Sequence, residues 1–76
     1  MSTVDKLMEL AATRFKKDAA GLSADADIFD SLGIDSMQVM SLLTEVEMTF
    51  DVEIPDYELR DVKTFAQLAE RIDERL

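Results

Sequence analysis

Apolar residues recur at helical spacing through most of this chain, and this periodicity limits it to an all-helical fold. Long stripes of this kind run through residues 3–17, residues 36–50 and the segment that follows Thr64. Pro55 suits the first turn of a shorter helix at about residues 56–61. No segment alternates apolar and polar residues as a half-buried strand would. The sequence therefore predicts a small all-α four-helix bundle with three longer helices and one short third helix.

Ser2 or Thr3 can cap the first long helix, and capping-box patterns precede the other two. Asp35 is a good N-cap, and Gln38, three residues later, completes a capping box. Thr64 and Gln67 repeat the pattern before the last helix. We therefore expect the second long helix to begin at Ser36.

The connection over residues 18–35 is long for a compact domain. Gly21 and small polar residues break regular structure there. The connection nevertheless holds apolar residues at Leu22, Ile28, Phe29, Leu32 and Ile34. We therefore expect it to pack across the domain as a long first loop, and loops of this length are often functional.

The composition excludes several classes of function. A chain of 76 residues with 47% apolar residues forms one small domain, residues 1–76. The absence of cysteine and histidine removes disulfides, the commonest metal ligands and the commonest general base. An EF-hand starting at Asp25 fails because Phe29 occupies its third acidic position. We predict no catalytic and no metal-binding residues. No apolar run is long enough to cross a bilayer and no secretory signal is visible, so the cytoplasm is the predicted compartment.

The charge is strongly acidic and unevenly distributed. The net charge of −9 argues against nucleic acid and anionic membrane surfaces as partners. No Lys or Arg lies between Lys17 and Arg60, whereas that stretch holds eleven acids: Asp18, Asp25, Asp27, Asp30, Asp35, Glu45, Glu47, Asp51, Glu53, Asp56 and Glu58. Such a surface attracts basic partners. Taken alone, an acidic face kept for solubility is the better explanation.

Two Asp–Ser pairs are the candidate functional positions. Asp30-Ser31 lies just before Gly33, so no sustained helix starts there, whereas Asp35-Ser36 opens a long helix. A hydroxyl at a helix start lies at the positive end of the helix dipole and can carry an attached phosphate. On physical grounds alone, however, an ordinary role at a helix start is the better explanation for Ser36.

Residues 27–37 resemble the attachment motif of the acyl carrier protein family. Its core pattern, Leu-Gly-x-Asp-Ser followed by Leu or Met, is met by residues 32–37. Residues 50–55, Phe-Asp-Val-Glu-Ile-Pro, are similar to the family's exit from its second helix. The family includes stand-alone carriers and the carrier domains of polyketide and peptide synthases. Helix order and length also fit, so the resemblance covers nearly the whole chain.

The resemblance implies a covalent modification and no catalysis. A phosphopantetheinyl transferase would move 4′-phosphopantetheine from coenzyme A onto Ser36, and Asp35 would cap the helix and present that serine. The arm would hold acyl or aminoacyl cargo as a thioester, loaded by a ligase and used by downstream synthase enzymes. We expect a monomer that works in trans with separate enzymes.

The predicted partner surface is the start of the second long helix, the end of the long loop and the short third helix. Its predicted residues are Met37, Gln38, Met40, Ser41, Val52, Ile54 and Tyr57. The methionines are either adaptable apolar contacts or ordinary core filling. Ile54, Leu59 and Val62 could shelter a bound chain, although a plain core role explains them better.

The pathway is less determined than the modification. Fatty-acid carriers resembling this chain place acids just after the serine, whereas here acids appear only at Glu45 and Glu47. The resemblance therefore favours a specialised carrier, for a polyketide, a peptide or an activated amino acid, over housekeeping fatty-acid synthesis. The alternatives are a stand-alone peptidyl or aminoacyl carrier loaded by a dedicated ligase, an unmodified helical interaction module, and a small regulatory enzyme subunit.

Overall fold

The computed structural model describes residues 2–76, apart from the side chain of Asp56, and over this range the chain is helical without strands. Its helices are α1 Thr3–Phe15, α2 Ile28–Leu32, α3 Ser36–Phe50, α4 Asp56–Leu59 and α5 Phe65–Asp73. A 3-10 turn covers Ala19–Gly21. The all-α prediction with three long helices is confirmed. Within the described residues, no helix is long and apolar enough to cross a membrane.

The long connection contains a helix that the sequence did not predict. The side chain of Asp27 caps α2 by accepting hydrogen bonds from the N–H groups of Phe29, at 2.8 Å, and Asp30, at 3.1 Å. α2 has only five residues. That is too short for a helical stripe to be read from the sequence, because a single turn and a half shows no periodicity.

Two predicted helix ends and the predicted place of Pro55 also need correction. α1 ends at Phe15 and not at residue 17, because Lys16 adopts a left-handed conformation with φ 56°. Pro55 precedes α4 as its N-cap, with ψ 145°, and does not lie in its first turn. α4 itself ends at Leu59, earlier than predicted.

The core is built by the three long helices. Its largest fully buried side chains are Leu7, Leu42, Val46, Phe65 and Ile72, from α1, α3 and α5. Each such side chain contributes about 1.5–3 kcal/mol by leaving water. α1 packs mainly against α5.

Backbone hydrogen bonds hold the long connection against the start of α5. The N–H of Ile28 donates to the carbonyl of Lys63 at 2.7 Å, and the N–H of Ala66 donates to the carbonyl of Ala24 at 2.9 Å. Ile28 and Leu32 are buried. The connection is therefore packed across the domain, as its apolar residues predicted.

Ion pairs fix the short helix α4 to α5. The carboxylate of Glu58 lies between the guanidinium groups of Arg71, at 3.8 Å, and Arg75. All three side chains are partly exposed, so each pair contributes about 0–1 kcal/mol. The contacts matter here because α4 forms one wall of the groove described below.

Candidate functional site

A tight turn separates α2 from α3. Gly33 adopts a left-handed conformation with φ 65°, and its N–H donates to the carbonyl of Phe29 at 2.8 Å. The N–H of Ile34 donates to the same carbonyl at 3.2 Å. Glycine is favoured at this position because an L side chain is strained there. The chain therefore ends one helix and begins the next within three residues.

Asp35 caps α3 through the predicted capping box. Its carboxylate accepts a hydrogen bond from the N–H of Gln38 at 3.0 Å, and the side-chain oxygen of Gln38 accepts one from the N–H of Asp35 at 3.0 Å. Ser36 is the first residue of this 15-residue helix and is exposed. Its hydroxyl group therefore lies at the positive end of the helix dipole, which favours an attached negative group.

Ser31 occupies a different environment. It lies inside α2, is half-buried, and its N–H donates to the carbonyl of Asp27 at 2.9 Å. As predicted, the pair Asp35-Ser36 opens a long helix and no sustained helix starts at Asp30-Ser31, although the short helix α2 that contains this second pair was not predicted.

A groove of about 270 Å³ borders Ser36. Its lining residues come from α2, α3, α4 and the segment after α4: Phe29, Ser36, Val39, Met40, Leu59, Arg60, Val62 and Lys63. It shares four of these apolar residues with a deeper cavity of about 30 Å³, closed off by Ile28, Leu42, Leu43 and Leu68. Of the residues predicted to shelter a chain, Leu59 and Val62 line both spaces, whereas Ile54 is a core residue.

Most of the predicted partner surface is exposed. The exposed residues are Met37, Gln38, Met40, Ser41 and Tyr57. Met37 and Tyr57 are 81% and 70% exposed, so neither is a core residue. Met48, at 79%, extends the exposed methionines along α3.

Val52 and Ile54 were wrongly predicted to be surface contacts. They are only 8% and 4% exposed. Asp51 adopts a left-handed conformation at the end of α3 and turns the chain back across the core. The carboxylate of Glu47 then accepts a hydrogen bond from the N–H of Ile54 at 3.4 Å.

The acids of α3 are engaged within the molecule. The guanidinium group of Arg14 pairs with the carboxylate of Glu45 at 2.8 Å and donates to the hydroxyl of Ser41. The carboxylate of Glu47 bonds to the backbone, as described above. The exposed face of α3 beyond Ser36 is therefore largely neutral and rich in methionine.

Several groove residues escaped the sequence analysis. The apolar pattern predicts Val39 as a core residue and Phe29 as an apolar loop residue, and no motif includes Arg60 or Lys63. One signal was available, because Arg60 and Lys63 are the first bases after the long stretch without any. Their position beside Ser36 depends on how α4 folds back.

No metal site forms in the described part of the chain, where no three acidic side chains converge as ion ligands.

The family model of a "Phosphopantetheine attachment site" matches residues 5–72 of the chain. The chain is 32% identical over 79 residues to acyl carrier proteins of Rickettsia typhi and Rickettsia prowazekii, covering 99% of this chain and 92% of each relative. It belongs to the acyl carrier protein family.

The fold agrees with this membership. A solved acyl carrier protein from Enterococcus faecalis superposes with a TM-score of 0.79, at 24% identity, over 100% of both chains. The family consists of carriers and not catalysts, and its prosthetic group is 4′-phosphopantetheine. The residues present fit such a group, because an exposed serine hydroxyl opens α3 beside a groove.

Proposed function

We propose that Ser36 bears the 4′-phosphopantetheine arm and that the chain carries acyl cargo between separate biosynthetic enzymes. The observation that supports this most is the position of Ser36, exposed at the first residue of a capped helix and bordering a groove. The rival serine, Ser31, is half-buried within α2. An enzyme can reach a hydroxyl at an exposed helix start without unfolding the domain.

The chain contributes a nucleophile and a scaffold to its own modification. The hydroxyl oxygen of Ser36 would form the new bond to phosphorus, while the phosphoanhydride bond to the adenosine bisphosphate leaving group breaks. The hydroxyl proton would pass to a base of the phosphopantetheinyl transferase, which also supplies Mg²⁺. Asp35 would hold the helix start rigid and present the serine. The thiol that ends the arm supplies the thioester chemistry.

The partner enzymes are proposed to meet a largely neutral surface. This surface consists of Met37, Gln38, Met40, Ser41 and Tyr57, all exposed. The two acids of α3 are paired within the molecule, Glu45 with Arg14 and Glu47 with the backbone, so they are less available to a basic patch on a partner. A specialised pathway such as polyketide synthesis fits this surface better than fatty-acid synthesis. Acyl cargo is preferred to aminoacyl cargo because the relatives are named acyl carrier proteins. A monomer and a cytoplasmic location stay predictions.

The test is modification in vitro. The protein is incubated with coenzyme A, Mg²⁺ and a broad-specificity phosphopantetheinyl transferase, and the intact mass is measured. We expect a gain of one phosphopantetheine in the wild type and in Ser31→Ala, and no gain in Ser36→Ala.

Two results would contradict the proposal. A folded wild-type protein that gains no mass would support the helical interaction module or the regulatory subunit. A gain that survives in Ser36→Ala but disappears in Ser31→Ala would show that the wrong serine was chosen. Circular dichroism of each variant ensures that only folded samples are compared.

A further inference from the structure

Positive charge is scarce around Ser36, and the structure places two cations on the groove that borders it. The sequence has no Lys or Arg between Lys17 and Arg60. Arg60 and Lys63 nevertheless line the same groove as Ser36. Arg14, the other base near α3, lies away from this groove and is paired with Glu45.

The backbone that carries these two cations is fixed on both sides. Arg60 is the C-cap of α4, and Val62, which lies between Arg60 and Lys63, is buried with 8% exposure. The N–H of Lys63 donates to the side-chain oxygen of Gln67 at 2.8 Å, and its carbonyl accepts from Ile28 at 2.7 Å. The segment is thus anchored to α5 and to α2, which also walls the groove. The backbone positions of Arg60 and Lys63 are therefore fixed.

The charge environment makes an anion the matching ligand. Among the side chains that the structure describes, no carboxylate forms an ion pair with Arg60 or Lys63. The protein as a whole carries a charge of −9, so an anion is repelled over most of its surface. Beside Ser36, Arg60 and Lys63 line the groove with two positive charges, and the helix dipole of α3 also favours an anion there.

The apolar space beside Ser36 is small in this structure. The deeper cavity is about 30 Å³. Dry apolar cavities that admit benzene are about 150 Å³, so this one holds no more than a methyl-sized group without rearrangement. The outer groove, at about 270 Å³, is larger but has a cationic wall. The combination suits a short group that ends in an anion better than a long alkyl chain.

We propose that Arg60 and Lys63 form an anion site that holds a phosphate or carboxylate carried on Ser36. This inference rests on the proposed function. The anion has two sources: the phosphodiester of the arm, which lies next to the serine oxygen, or a carboxylate at the end of a short dicarboxylic acyl cargo. Binding there would hold the arm in the groove, and the domain would be stabilised by it.

The experiment compares thermal unfolding of defined forms of the whole protein. Apo, holo, acetyl-holo and malonyl-holo proteins are prepared with coenzyme A or its acetyl or malonyl ester as donor, and each loading is verified by intact mass. The test variant is Arg60→Gln/Lys63→Gln. The control is Lys6→Gln/Lys17→Gln, which removes the same charge from exposed positions outside the groove.

Stabilisation by loading is the expected result. If the phosphodiester is the ligand, all three loaded wild-type forms unfold roughly 2–4 °C above the apo form. If the cargo carboxylate is the ligand, only the malonyl form does. In either case the increase in unfolding temperature persists in the control variant Lys6→Gln/Lys17→Gln and disappears in Arg60→Gln/Lys63→Gln. An equal increase in both double variants, or none in verified loaded wild type, would overturn the anion site while leaving the carrier function intact. Failure to load at all would instead refute the proposed function.

Discussion

The two Asp–Ser pairs share a dipeptide and differ in almost everything that surrounds it. Ser31 is half-buried inside the five-residue helix α2, which is held in place by core contacts. Ser36 is exposed at the first turn of the 15-residue α3, whose start is held by the Asp35 capping box. The backbone frame of a serine, meaning its position in a helix and the contacts that hold that helix, therefore decides whether a modifying enzyme can reach it, and the dipeptide does not. Core packing fixes the frame of Ser31, and the turn at Gly33 together with the Asp35 cap fixes the frame of Ser36.

The largest expected effect comes from removing the core contact of α2. Leu32 is 2% exposed. We expect Leu32→Ala to lower the free energy of unfolding by about 2–5 kcal/mol, through lost burial and the cavity left behind. Urea denaturation measures it. Met37→Ala, at an 81% exposed position at the start of α3, is the matched control and should change stability by less than about 0.5 kcal/mol. Equal losses in both variants would mean that α2 is not anchored by the core.

Gly33, in the turn between α2 and α3, should be the next most sensitive position. Gly33 has φ 65°, and an added Cβ would meet nothing within 4 Å. We therefore expect Gly33→Ala to lower the free energy of unfolding by about 1–2 kcal/mol, purely because of backbone strain. Gly21 also has open space for a Cβ but no positive φ. In Gly21→Ala the free energy of unfolding should therefore be unchanged or rise by up to about 1 kcal/mol. A loss of similar size at Gly21 would show that the strain argument is wrong.

How much of these backbone frames the sequence could predict depends on how far apart in the chain the interacting residues are. The helix over residues 36–50 was predicted to the residue, because its cap and its apolar stripe are local signals. α2 was missed because five residues show no period. The buried position of Val52 was missed because it depends on how the chain turns at Asp51, whereas a core role was already the better explanation for Ile54.

The electrostatics of the site could not be predicted for the same reason. Arg14 and Glu45, which form an ion pair, are 31 residues apart in the chain. Arg60 and Lys63 reach the groove of Ser36 only because α4 folds back over α3 and α2. Such contacts are products of tertiary packing. The motif around Ser36 could therefore be recognised in the sequence, whereas the tertiary contacts around it could not be predicted.

The capping aspartates should have similar effects on stability and different effects on modification. Asp27 caps α2 and Asp35 caps α3. In each alanine variant the free energy of unfolding should fall by about 0.5–2 kcal/mol, because backbone N–H groups at the helix start lose their hydrogen-bond acceptor. Only Asp35→Ala should slow the transfer of phosphopantetheine, since only its helix presents Ser36. Comparable slowing in Asp27→Ala would show that global stability, and not the α3 frame, controls the rate.

The smallest effect on stability, and the sharpest separation of roles, is expected from Asp35→Asn. Asparagine caps helices about as well as aspartate, so the helix start should persist with a loss of no more than about 1 kcal/mol, from the missing charge at the helix dipole. If the carboxylate charge takes part in presenting Ser36, the initial rate of modification should fall several-fold although the cap remains. Asp30→Asn makes the same change in the other Asp–Ser pair and should leave the rate unaltered. A rate in Asp35→Asn equal to that of the wild type would restrict Asp35 to capping, and the difference between the two pairs would then be one of backbone frame alone.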